Sequence, residues 1–218
     1  YGIAVYEENR QVAREADILV LAVKPQMMET VIGEIRGDIK PDAVVVSIAA
    51  GKSLAWIENA FGKSIKLVRC MPNTPAMVKE GMTAYCVNGQ VCPEEKAKVV
   101  ELCRCFSEAE EVDEHLMDVV TAVSGSSPAY VFMFIEAMAD AAVADGMPRD
   151  KAYKFAAQAV LGSAKMVLET GRHPGVLKDM VCSPGGTTIE AVRILEKEGL
   201  RSSVFEAMKA CVKKSRGM

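Results

Sequence analysis

The feature that most constrains this chain is where its short apolar runs fall. Asp17–Val23 (DILVLAV), Asp42–Ala49 (DAVVVSIA) and Lys66–Cys70 (KLVRC) all lie in the first third, and no comparable strand-like run follows Glu114. Such runs are too short for core helices and do not alternate, as expected of strands buried on both faces of a parallel sheet. Helical spacing separates them. Pro25 opens Met28, Val31, Ile32 and Ile35, and Ser53 can cap Leu54, Ile57 and Ala60. Met82–Val87 is predicted as a fourth strand and Glu94–Phe106 as a helix. Strands alternating with helices imply an α/β sheet, mostly parallel.

The second half reads as helix throughout. Ser127-Pro128 forms a helix start, and AYVFMFIEAMADAAVAD runs on to Gly146. Another helix runs from Pro148 through Leu168 to a stop near Gly171, and a short one covers Val176–Val181. After CSPGGTT comes a helix to Lys197, a break at Gly199, and a last helix over 202–214. The boundary is placed near residue 113, giving an α/β domain over 1–113 and an all-α domain over 114–218. The helix after Pro128 is apolar over much of its circumference, so it must bury more than one side. About a hundred residues are hard pressed to do that alone, and a homodimer with interleaved helices would.

Composition narrows the classes of function. A formal net charge of -3 excludes a polycationic nucleic-acid footprint. No apolar run is read as transmembrane, since Ala129–Ile135 is soon followed by Glu136 and Asp140. Seven cysteines without a C-x-x-C pair, and two distant histidines, argue against a zinc site. The cysteines are read as small buried apolar residues kept reduced in a cytoplasm.

Four stretches have the residue types for chemistry. Ala22-Val23-Lys24-Pro25, Ile48-Ala49-Ala50-Gly51 and Met71-Pro72-Asn73-Thr74-Pro75 each follow a strand, where open α/β sheets bind ligands. Lys24 suits a phosphate, and the small residues after Ser47 leave room for a flat ring or a ribose. Each stretch alone also reads as an ordinary turn; the three together favour a nucleotide-type cleft. The fourth is Ser183-Pro184-Gly185-Gly186-Thr187-Thr188, which stands before a helix. It can merely cap that helix, or hold an anion on the helix's free N–H groups. Glu114, Asp118 and Thr121 have the spacing of one helix face.

The stretches AVKPQ, SIAAG, RCMPNTPA, VSGSSPAYVFMFIEAMADAAVADGMPR and HPGVLKDMVCSPGGTTIEAVRILE together resemble the Δ1-pyrroline-5-carboxylate reductases, which complete proline biosynthesis. The likeness runs from about residue 9 to the end, and His173–Glu196 is its most specific part. It implies a Rossmann-type domain binding NADPH or NADH, then a helical domain that forms a homodimer. In several members the dimers build a homodecamer. It implies an active site between the nucleotide domain of one subunit and the helical domain of another, in a cytoplasmic enzyme. Cofactor contacts carry over to Asn9, Ala22, Val23, Lys24, Pro25, Ile48, Ala49 and Ala50. The substrate carboxylate site carries over to Ser183, Gly185, Gly186, Thr187 and Thr188, with Glu114 and Thr121 also near the substrate. Thr121 is the candidate partner of the substrate's ring nitrogen. Met180 stands where a relative has an asparagine that contacts cofactor.

The resemblance also implies an opening strand and a Gly-x-Gly-x-x-Gly loop, which this sequence lacks. About fifty residues are expected before Tyr1 by βαβ arithmetic, so the chain is either part of a longer protein or a variant without that loop. Two rivals remain at this stage. A β-hydroxyacid dehydrogenase-like enzyme would use a lysine on the long helix, and none occurs from Pro128 until Lys151. A non-catalytic dimeric remnant would keep the helices and lack cofactor binding.

Overall fold

The computed structural model describes residues Gly2–Gly217. These divide into two compact units, one of residues up to Pro128 together with those from Lys209 onward, the other Ala129–Met208.

The first unit is built on five strands in the order β1-β2-β3-β4-β5: Ile18–Leu21, Val44–Ser47, Lys66–Met71, Gly81–Val87 and Ser107–Glu111. β1, β2 and β3 run parallel, with Leu21 beside Ser47 and Ser47 beside Arg69. β4 is antiparallel to β3, because the connection from Pro72 to Glu80 is too short for a crossover helix. β5 then lies parallel to β4. A mostly parallel sheet was expected, and three of its four pairings are parallel.

Helices cover both faces of the sheet. On one face, α2 (Met28–Ile35) and α3 (Leu54–Phe61) bury Met28, Ile32, Ile57 and Phe61 against Leu19, Leu21, Val45 and Leu67. Ala13 of α1 (Asn9–Glu15) joins that cluster. On the other face, α4 (Pro93–Arg104) packs Val99, Val100 and Cys103 on Val44, Val46, Val68 and Cys70. Ser53 caps α3 as its sequence foretold, accepting the Trp56 N–H.

Along β1, Leu19 and Leu21 are buried and Val20 is 51 % exposed. Some expectations need correction. β5 was not foreseen: its sequence SEAEE carries no apolar run, and its pairing rests on backbone bonds and a buried Thr83–Ser107 hydroxyl contact of 2.7 Å. Gly81 is needed there, because a Cβ would lie 2.9 Å from the Phe106 carbonyl oxygen and from Ser107 Cβ. The cysteines are not all buried. Cys70, Cys86 and Cys103 are, but Cys92 and Cys105 flank α4 at the surface. Glu114–Ala144 is one helical stretch long and apolar enough to cross a membrane by length and composition alone. Its apolar residues are spread among polar ones, so no single run announced it.

That stretch changes pitch along its length. A 3-10 turn at Glu114–Leu116 leads into α5 (Met117–Val120), then a π-turn at Thr121–Gly125, then α6 (Ser127–Ala144). The second unit holds the rest of α6, α7 (Arg149–Thr170), α8 (Pro174–Val181), α9 (Thr187–Lys197) and the start of α10 (Leu200–Arg216). Gly171 ends α7 in the left-handed conformation at φ 61°. The core of this unit is small, with Ala139, Ala152 and Ala156 packed beside Ile135, Ala142 and Val143.

Candidate active site

Parallel pairing in register puts the ends of β1, β2 and β3 on one edge of the sheet. The structure therefore brings Ala22–Pro25, Ile48–Gly51 and Pro72–Pro75 to the same edge, where open sheets take their ligands. The Ile48 N–H donates to the Leu21 carbonyl at 3.3 Å, tying the second loop to the first. Lys24 is exposed, and its carbonyl accepts the Met27 N–H at 2.8 Å where the chain turns into α2. Ala49 is buried, its N–H donating to Ser47 Oγ at 3.3 Å. Gly51 turns the chain at φ 71°. The result is a loop of backbone and methyl groups. The side-chain amide of Asn9, the remaining cofactor candidate, donates to Glu34 Oε2 at 2.9 Å on α2 instead of to these loops.

Glu114, Asp118 and Thr121 each turn to a different partner. Glu114 Oε1 accepts the Leu54 N–H at 2.6 Å and an Arg69 N–H at 3.0 Å. Asp118 accepts the Ser215 hydroxyl at 2.6 Å. Thr121 is buried and its hydroxyl donates to the Met117 carbonyl at 2.9 Å. The π-turn is closed by the Ser126 N–H donating to the Thr121 carbonyl at 2.8 Å, and such turns recur at functional sites. Asn73 anchors it: Nδ2 donates to the Ser124 carbonyl at 3.1 Å while Oδ1 accepts the Met82 N–H at 2.8 Å.

Glu114 also lines a surface cavity of about 510 Å³ with Leu54, Cys86 and Leu116. Burial pushes the Cys86 thiol up to about 11, so it stays protonated at neutral pH. Arg69 was not singled out from sequence, and Asn73 only as part of the polar loop after β3. A basic residue inside the apolar run KLVRC was the signal for Arg69. The partners of Asn73 were not visible before the fold.

In the second unit, Ser183–Gly186 form a turn closed by the Gly186 N–H donating to the Ser183 carbonyl at 3.0 Å. Gly185 sits at φ 69°. A Cβ on Gly186 would lie 2.5 Å from Ser183 Oγ and 3.1 Å from the Ser183 carbonyl oxygen, so a larger residue would force the Ser183 side chain aside. Gly186 is the N-cap of α9 and offers no side chain, and no side chain caps the helix. The first N–H groups of α9 are thus left for an outside acceptor, with Ser183 and Thr187 exposed beside them. His173 is a local cap, its Nδ1 accepting the Gly175 N–H at 3.0 Å.

The family model for pyrroline-5-carboxylate reductase dimerisation matches residues 114–218. A model described as NADP oxidoreductase, coenzyme F420-dependent, matches residues 1–51. The pyrroline-5-carboxylate reductase of Escherichia coli (strain K12) is 60 % identical over 215 residues, covering 99 % of this chain and 80 % of that protein. The chain belongs to the pyrroline-5-carboxylate reductase family. Among solved structures, the Plasmodium falciparum reductase with NADP bound superposes at a TM-score of 0.92. It is 35 % identical, and the match covers 97 % of this chain and 80 % of that one. The Streptococcus pyogenes reductase follows at 0.90, also with 35 % identity and the same coverage of both chains. The family expected from the sequence stretches is thus the one found, and so is its order of a Rossmann-like sheet followed by a helical dimerisation segment.

Proposed function

We propose that this protein reduces 1-pyrroline-5-carboxylate to L-proline with NADPH or NADH, acting as a homo-oligomer formed through its helical segment. The observation that carries this reading is the set of three small-residue loops on one sheet edge, in a chain of this family. The same reading carries a cytoplasmic location.

The residues divide the work as follows. Ala22–Pro25 and Ile48–Ala50 offer backbone groups and little bulk to the nicotinamide half of the cofactor, and Lys24 offers a cation. When bound, the reduced cofactor supplies the hydride that adds to the imine carbon. The ring nitrogen keeps its proton, and the product is the secondary amine. The substrate carboxylate is taken by the Ser183–Thr188 turn, on the N–H groups of α9 and the Thr188 hydroxyl. Glu114 and Thr121 serve the substrate side, Thr121 through its hydroxyl. A protonated imine is already a good hydride acceptor, so the protein's task is to hold two reactants in line.

The test is an assay of the purified protein with pyrroline-5-carboxylate and NADPH, then NADH. Loss of reduced-cofactor absorbance with matching formation of L-proline is expected. Cofactor binding without turnover, or neither, overturns the reading in favour of a non-catalytic dimer.

A further inference from the structure

Arg69 is a cation inside a strand that is otherwise apolar, and it is only 7 % exposed. Its Nη1 donates to Glu114 Oε1 at 3.0 Å. The same oxygen accepts the Leu54 N–H at 2.6 Å. Leu54 is the first residue of α3, so its N–H belongs to the group that a helix cannot satisfy internally. One carboxylate oxygen therefore joins β3, the N-terminus of α3 and the start of the helical stretch that leads to Thr121.

Folding alone does not require this arrangement. Ser53 already caps α3 through the Trp56 N–H. A leucine at position 69 would suit the strand's apolar neighbours, and a buried ion pair is seldom a better stabiliser than apolar packing. What the pair does is fix a place. The turn from Ile48 to Ser53 hangs between two anchors, the Ile48 bond to Leu21 at one end and the Leu54 bond to Glu114 at the other. Without Arg69, Glu114 loses its counter-charge, and the second anchor loosens.

We propose that Arg69 is a positioning residue for the nicotinamide cofactor: through Glu114 it holds the start of α3, and with it the Ile48–Ser53 turn, where the cofactor is received. This rests on the reading that Ile48, Ala49 and Ala50 contact the cofactor.

Trp56 gives a direct probe. It is the chain's one tryptophan, it lies in the first turn of α3, and Lys52 Nζ stands 4.3 Å from its ring centroid. In the full-length protein, Arg69→Gln should shift the Trp56 emission and weaken NADPH binding about tenfold, the range of one charge-assisted hydrogen bond. At saturating NADPH, kcat should fall by less than the loss in NADPH affinity, because saturation refills the turn while Glu114 stays held by the Leu54 N–H. Arg69→Lys should recover most of the NADPH affinity. Ala50→Leu, which fills the turn, tests the underlying reading separately.

Weakened NADPH binding in Ala50→Leu but not in Arg69→Gln overturns the positioning role and leaves the turn as the cofactor site. Unchanged binding in both overturns the turn as the cofactor site, and the role with it. Equal losses in affinity, KM and kcat with no rescue by lysine mean a merely structural ion pair, which also overturns the role. If Arg69→Gln does not fold, Glu114→Gln replaces it, keeping an oxygen for Leu54 but no charge for Arg69. NADPH affinity weakened threefold or more then supports the role, and smaller losses overturn it.

Discussion

Thr121 enters the π-turn with its hydroxyl proton already used, given to the Met117 carbonyl. A hydroxyl that donates in this way still has lone pairs to offer. Toward a substrate it is an acceptor, which matches the N–H of a protonated imine and not the bare lone pair of a neutral one. In the proposed reaction Thr121 would therefore accept from the ring N–H. Thr121→Val keeps the shape and removes the oxygen. It should lower kcat/KM for pyrroline-5-carboxylate about tenfold, in line with the loss of a hydrogen bond to a charged group, with NADPH affinity unchanged. Thr121→Ser should stay close to the parent. Steady-state kinetics decide it, and a fully active valine variant removes Thr121 from the mechanism. Some of this residue-level picture was legible in advance. The glycine pair at 185–186 announced a tight turn before a helix, because adjacent glycines have few other uses. The partners of Glu114 were not, since they depend on a 3-10 turn and on a strand contact 45 residues away.

Elements were readable wherever burial drives them. β2 and β3 are apolar because both faces are covered, and α3, α7 and α9 are bounded by caps or glycines that declare themselves in sequence. β5 escaped because a strand rich in exposed acids has no apolar run of its own, and is held by its neighbour's backbone and the buried Ser107 hydroxyl. The start of α4 depends on charge instead. Glu95 accepts the Cys92 N–H at 3.0 Å and a bond from Lys66 at 2.6 Å, joining the helix to β3. Lys66, and next the Cys92 N–H, hold the Glu95 carboxyl down at about 2, against an ordinary value of 4.5. A carboxyl lowered on folding adds stability that is present above its unfolded value and lost as pH falls through the folded one. Glu95→Gln should therefore melt below the parent at neutral pH. The gap in Tm should close as the pH falls from about 4.5 toward 2. Thermal melts across that range test it, and a gap independent of pH means that the charge of Glu95 does not act through this contact.

At the scale of the whole molecule, the second unit has far more apolar surface than it can hide. Phe132 and Met133 of α6 are 60 % and 69 % exposed, Leu168 of α7 is 84 % exposed, and Phe134 and Phe155 are open as well. Single exposed apolar residues are ordinary, but a helix apolar around most of its girth is not. Three buried alanines make too small a core to account for it. The same feature explains why the stretch has the length and composition of a membrane span: an obligate interface resembles a domain core cut in half. Homo-oligomerisation through this segment, which the match to a dimerisation family supports, would cover that surface. Phe132→Glu places a charge within that surface, and burying it without a partner costs several kcal/mol. The parent should run as a dimer or a multiple of one in light scattering coupled to size exclusion. The variant should shift toward monomer, melt at a lower temperature, and regain dimer as its concentration rises. Because an obligate homo-oligomer has no stability apart from its concentration, the parent's Tm should climb with dilution reversed, and the variant's more steeply. A variant that keeps the parent's mass at every concentration would move the interface away from this face of α6.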